Sequence, residues 1–168
     1  MTRDGTECSH EIDILTQNGV ELPADEQVIQ SFICRVLAEP VFEARGWELS
    51  VSFCDSEHMA QLNRDYRGKD GTTDVLTFCL NEHAQTPNEW CVPGELQLQQ
   101  VGDIVVDPAQ VESNARDFDV STEEELRRVL VHGLLHLSGM DHSTNDATEP
   151  MLALQEEILA RLSDQRLF

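Results

Sequence analysis

Three of the six histidines in the chain fall within eleven residues, His132-Gly133-Leu134-Leu135-His136-Leu137-Ser138-Gly139-Met140-Asp141-His142, with the spacing H-x3-H-x5-H. On a helix, His132 and His136 stand one turn apart on one face, so both imidazoles can reach the same ion. Gly139 is a natural stop for that helix, because glycine takes the left-handed geometry after a C-cap at no steric cost, and the chain can then fold His142 back toward the other two. Three imidazole nitrogens with a fourth position open describe a catalytic zinc site, and nickel or another divalent ion also accepts three imidazoles. A lone histidine near an apolar helix is usually a satisfied core or surface residue. Three at this spacing, with Leu134, Leu135 and Leu137 among them, argue instead for metal binding.

The same residues fit H-x-x-x-H-x-x-G-x-x-H, the ligand spacing of the metzincin proteases. Those enzymes carry a glutamate directly after the first histidine as general base. Here that position is Gly133, which has no side chain to take a proton. Metal-assisted hydrolysis survives with another proton carrier, because a divalent ion lowers the pKa of its water. The histidines alone do not specify the substrate, which must be argued from elsewhere; a peptidase or amidase whose base is a distant carboxylate and a non-catalytic protein that uses the metal only to hold its shape are among the readings to be weighed.

The elements that must position this stretch follow from pattern. Residues 10–15 alternate polar and apolar and read as a first strand. Pro23 suits the first turn of a helix with Val28, Ile29, Phe32, Ile33, Val36 and Leu37 on one face, ended by Pro40. Residues 47–54 are a second strand, half buried, with Trp47, Leu49, Val51 and Phe53 on one side. Asp55 and Ser56 cap a helix through Met59 and Leu62 that runs out near Tyr66 and Gly68. A third strand, 74–80, precedes a polar stretch, 81–100, read as a long connection. A fourth strand, 101–106, leads to Asp107-Pro108, an N-cap with proline in the first turn of a helix that fades near Phe118.

Ser121-Thr-Glu-Glu124 is a capping box for the helix that carries Leu126, Val129, Leu130, Gly133, Leu134 and Leu137 inward and delivers His132 and His136. A last helix, 146–163, has Met151, Leu154, Ile158, Leu159 and Leu162 as its stripe. Four strands and about five helices that do not alternate strictly predict an α+β fold, one small mixed sheet covered by helices, with residues 1–168 forming a single domain. The strand order is not readable from the chain.

Composition bounds the setting. A chain of 168 residues buries about two thirds of its unfolded surface and needs no disulfide staples. No apolar run approaches a membrane span, and Asp4, Glu7, Glu11 and Asp13 exclude the basic-then-apolar order of a signal peptide, which makes a cytoplasmic protein the simplest expectation. Cys8, Cys34, Cys54, Cys79 and Cys91 are scattered, without a C-x-x-C pair, and read as reduced residues. The 32 acidic and 11 basic residues give a net charge of −21, and only Lys69 is lysine. Self-repulsion on that scale destabilises a compact state in dilute buffer, which suggests a high-salt cytoplasm where it is screened.

The histidine stretch, the segment Leu62-Asn63-Arg64-Asp65-Tyr66-Arg67-Gly68-Lys69-Asp70 followed by Thr73-Asp74-Val75-Leu76-Thr77-Phe78, and the shorter Gly102-Asp103-Ile104-Val105 together resemble the YbeY family of bacterial endoribonucleases. The resemblance spans residues 62–142. It implies a small mixed sheet, a zinc ion held by His132, His136 and His142, and hydrolysis of single-stranded RNA. It further implies maturation of ribosomal RNA, notably the 3′ end of the small-subunit RNA, and ribosome quality control. Ribosomal RNA, the ribosome or its proteins and a ribosome-associated GTPase are the implied partners, with neither DNA nor membrane among them.

Arg67 matches the family's functionally important arginine, and a guanidinium near a metal suits the charge of a phosphodiester transition state. From its position alone Arg67 reads as a surface residue after a helix. Thr72 stands where proline is common, Thr77 where serine is, and Met140 where tyrosine is. The first of these is expected to loosen the turn before the third strand. Asp141 and Asp103 are candidates to orient a ligating imidazole, with Asp141 equally suited to shaping the turn after Gly139. The acidic balance opposes RNA affinity, so Arg64, Arg67 and Lys69 beside the metal carry the expected contacts, and binding to free RNA is expected to be weak.

Overall fold

A computed structural model describes residues 8–43, 46–80 and 98–168. Most of the stretch 81–100 and Cys91 lie outside the described residues. The elements in order are β1 (Glu11–Thr16), α1 (Glu26–Leu37), a 3-10 turn at Pro40–Phe42, β2 (Trp47–Phe53), α2 (Ser56–Arg67), β3 (Val75–Cys79), β4 (Gln99–Val106), α3 (Pro108–Asp117), α4 (Thr122–Leu137) and α5 (Pro150–Arg161).

The four strands form one mixed sheet in the order β1-β2-β4-β3, with β1, β2 and β4 parallel and the edge strand β3 antiparallel to β4. This is the expected α+β arrangement. β2 lies inside the sheet and is more deeply covered than alternation suggested: Leu49, Val51 and Phe53 are buried, and so is Ser52 on the other face. The main core joins Ile29, Ile33 and Val36 of α1 to Val51, Phe53, Ile104 and Val106 of the sheet and to Leu130 and Leu134 of α4. Val105 points the opposite way, as the period of two requires, and forms a smaller cluster with Cys54, Met59 and Leu76 under α2.

Short-range chemistry sets most boundaries. Asp55 caps α2 by accepting from His58 N (2.8 Å), and Ser121 caps α4 by accepting from Glu124 N (3.1 Å). The reciprocal half of the capping box is absent, because the Glu124 carboxylate accepts from Arg128 instead, at 3.1 Å. α1 starts at Glu26 rather than at Pro23, since Asp25 is its N-cap and the Asp25 carboxylate accepts from Gln27 N and Val28 N at 2.9 and 3.3 Å. α5 starts at Pro150 rather than near 146, because Asp146 is spent in a local turn, accepting from Thr148 N (2.9 Å) and Thr148 Oγ1 (2.8 Å).

Two further findings depart from expectation. Cys8 and Cys34 are joined by a disulfide, Cα to Cα 6.0 Å, whereas Cys54 and Cys79 are free thiols. Gln30 of α1 donates to the Ile12 carbonyl (3.0 Å) and holds the helix along β1, which brings Cys34, one turn further on, over the start of that strand. The second finding is at Thr72, which pins its turn rather than loosening it. Its hydroxyl donates to the fully buried Asp107 at 2.7 Å, and Asp107 also accepts from Ser56 Oγ (2.6 Å) and from Ala109 N and Gln110 N, tying α2, the β3 approach and α3 together. A proline at 72 has no hydroxyl with which to make that bond.

α4 lies close on the sheet because of Gly133. A Cβ there would meet three atoms of Ile104 at 3.0, 3.1 and 3.2 Å, so the glycine that removes a protease base also permits the helix to approach β4. Among the described residues no helix is long and apolar enough to cross a membrane.

Candidate metal centre

His132 and His136 project from the last two turns of α4, and the end of that helix is built as a complete Schellman motif. Met140 N donates to Leu135 O (3.1 Å) and Gly139 N to His136 O (3.0 Å), with Gly139 at φ +100°. That reversal returns the chain so that one ligand atom from each of His132, His136 and His142 lies within 4.8 Å of the others.

The second nitrogen of each ring decides what those atoms are. His132 Nδ1 bonds Gln155 Oε1 at 2.8 Å, His136 Nδ1 bonds the Met140 carbonyl at 3.1 Å, and His142 Nδ1 bonds the Thr144 carbonyl at 2.9 Å. Each partner is an oxygen that can only accept, so each imidazole carries its proton on Nδ1 and presents a bare Nε2. His132 Nε2 and His136 Nε2 face each other at 3.1 Å. Two lone pairs at that distance repel, and a cation between them removes the repulsion. Tetrahedral zinc with Zn–N of about 2.0–2.1 Å holds its nitrogens about 3.3 Å apart, so the spacing suits such an ion. Burial, helped by the neighbouring histidines, pushes His136 down to about 4, and burial also lowers His132. Both rings are therefore neutral, as ligation requires, at pH 7.

A groove of about 390 Å³ opens beside His136, lined by residues 75–79 of β3 and by Tyr66 and Arg67 from the end of α2. Arg67 is near enough that its charge disfavours protonation of His132. Among the described residues, Arg64, Arg116, Arg128, Arg161 and Arg166 each face a carboxylate within ion-pair distance, whereas Arg67 and Lys69 form no ion pair.

The profile of the endoribonuclease YbeY family matches residues 12–163. The chain belongs to that family. An endoribonuclease YbeY of Treponema pallidum (strain Nichols) is 40% identical over 133 residues, covering 79% of this chain and 78% of that one. One from Listeria monocytogenes serotype 4b (strain CLIP80459) is 37% identical over 154 residues, covering 89% and 93%. A Thermotoga maritima protein solved in solution superposes with a TM-score of 0.53 at 27% identity, over 91% of this chain and 90% of that one.

Within this YbeY-type site the two expected carboxylates do other work. Asp141 stays 4.0 Å from His136 Nδ1 with its side chain 87% exposed, and it accepts instead from His142 N (2.8 Å), shaping the turn. Asp103 accepts from Ser50 Oγ at 2.5 Å and orients no imidazole. The side chain that does orient one is Gln155 of α5, which pattern reading passed over. Gln155 Nε2 donates to Glu156 Oε1 (3.2 Å), and Glu156 is held by Arg128 Nε (2.8 Å), so the amide oxygen is turned toward His132. The available signal was a glutamine inside the apolar stripe of α5, where Met151, Ile158 and Leu159 are buried with it. Met140 contributes its carbonyl to His136, a role open to any residue type, which fits its departure from tyrosine.

Proposed function

We propose that the protein is a zinc-dependent endoribonuclease that hydrolyses phosphodiester bonds in single-stranded RNA, with His132, His136 and His142 holding the metal and Arg67 as the catalytic cation. Its role is ribosomal RNA maturation, at the 3′ end of the small-subunit RNA, and ribosome quality control. It acts in the cytoplasm, as one domain of residues 1–168, with the ribosome or its proteins and a ribosome-associated GTPase as partners.

The observation that carries this reading is that Arg67 and His136 line one groove. Hydrolysis of a phosphodiester needs an activated water and a counter-charge for the oxygens of the phosphoryl group in the transition state. A divalent ion, when bound, supplies Lewis-acid polarisation and a nucleophile at neutral pH. Arg67 supplies the counter-charge: its planar guanidinium matches two phosphoryl oxygens at once, and no carboxylate among the described residues neutralises it. Family membership supports RNA as the polymer, and Gly133 removes the base that a peptidase of this spacing would use.

The test is cleavage of single-stranded ribosomal RNA by the purified protein with metal analysis alongside. Arg67→Glu and His132→Ala are each expected to abolish cutting while circular dichroism stays unchanged. If both variants cut at the wild-type rate, the mechanism is wrong. Turnover of casein with RNA untouched would instead assign a peptidase, and loss of fold on chelation with no turnover of either polymer would assign a metal-stabilised assembly factor.

A further inference from the structure

We propose that Tyr66, braced by Phe78, is a base-stacking platform that makes the site select an unpaired nucleotide; the proposal rests on the ribonuclease reading above. Tyr66 is the only tyrosine of the chain and its side chain stands in the open, with the residue 68% exposed. Exposure alone would say little, since Phe118 and Leu80 are also exposed. Tyr66 differs from these in its surroundings. It borders the same groove as His136, and its neighbour in sequence is Arg67.

The ring is held by Phe78 in an edge-to-face contact, centroids 5.0 Å apart with the planes at 76°. Phe78 itself packs on the small cluster under α2, so the brace is anchored in the fold. In an edge-to-face pair at least one face of each ring stays uncovered by its partner, which leaves a π-face of Tyr66 for a ligand. Tyr66 and Arg67 line the same groove, so a strand whose phosphate meets Arg67 carries its adjoining base along the wall that Tyr66 forms.

Only an unpaired base can use this surface. In a duplex both faces of each base are covered by its neighbours, whereas a single strand presents splayed bases that stack on aromatic rings. The charge balance adds weight to the contact. At a net charge of −21 the chain repels RNA at long range, and stacking is an attraction that needs no opposite charge and survives high salt.

The experiment uses the zinc-loaded full chain and an oligoribonucleotide carrying 2-aminopurine, as single strand and as duplex. Stopped-flow fluorescence reads stacking before cutting, and gels of the same reactions give kcat and KM. Wild type is expected to quench the probe in the single strand. Tyr66→Ala should abolish the quench and raise KM about 5- to 150-fold with kcat little changed, while leaving duplex binding as it was. Tyr66→Leu, which keeps apolar bulk against Phe78 but has no π-face, should behave as Tyr66→Ala does, and Tyr66→Phe should rescue both readouts. A wild-type quench and KM in Tyr66→Ala and Tyr66→Leu would overturn the platform while leaving the ribonuclease reading intact. A fall in kcat at unchanged KM would also overturn it, by assigning Tyr66 to the chemistry. If wild type neither quenches nor cuts, both readings fall.

Discussion

Replacing Gln155 by leucine tests the metal centre at a point that touches no ligand atom of the ion. In the wild type, Gln155 Oε1 accepts from His132 Nδ1 at 2.8 Å and so keeps the bare nitrogen, Nε2, turned toward His136 and His142. Leucine is similar in volume and accepts nothing. In the metal-free variant the ring avoids an unpaired buried donor by moving its proton to Nε2, so the loss of stability is small. The zinc-loaded variant cannot do this, because Nε2 is needed as the ligand, and it must carry the full cost of the orphaned Nδ1–H, about 1–3 kcal/mol.

The penalty therefore falls on metal affinity, roughly 10- to 100-fold, which is about 1.4–2.8 kcal/mol. Competition against a chromophoric chelator measures it, and thermal melts with and without zinc separate affinity from fold. Gln155→Glu retains an acceptor and should bind zinc at least as tightly as wild type. A Gln155→Leu affinity equal to wild type would falsify the tautomer argument. So would a loss of stability as large without zinc as with it.

Three other outcomes are expected. Gly133→Ala sets overpacking against Ile104, about 1–3 kcal/mol, against a helix-propensity gain of about 1 kcal/mol, so urea unfolding should find it neutral to about 2 kcal/mol destabilised. In the metal-free protein His136 titrates near 4 when folded and at 6.5 when unfolded, so the unfolded chain binds more protons between those values. The contribution of His136 to the stability of that form is thus full above pH 6.5 and is lost on acidification toward pH 4; urea midpoints across this range check it, and His136→Gln should flatten the slope. Finally, screening should raise the melting temperature in molar KCl above that in dilute buffer, given the net charge of −21; a melt that is unchanged or lower rejects self-repulsion as a destabilising force.

What could be read from the chain alone was what neighbouring residues decide among themselves. The four-residue spacing of His132 and His136, the stop at Gly139, and the caps at Asp55, Asp107 and Ser121 all act within one or two helical turns, and each is found where expected. The three-histidine cluster was legible for the same reason, since α4 and the reversal after it are contiguous. Long-range geometry decided the rest. The order β1-β2-β4-β3 follows from how strands far apart in the chain share a sheet, and the Cys8–Cys34 bridge follows from α1 lying along β1. Gln155 reaches His132 only because α5 packs on α4, and Thr72 finds Asp107 only across the meeting of α2, α3 and the β3 approach. A local pattern can say that a side chain is polar on a buried face; only the packed chain supplies the partner, because hydrogen bonds are satisfied in space and not along the sequence.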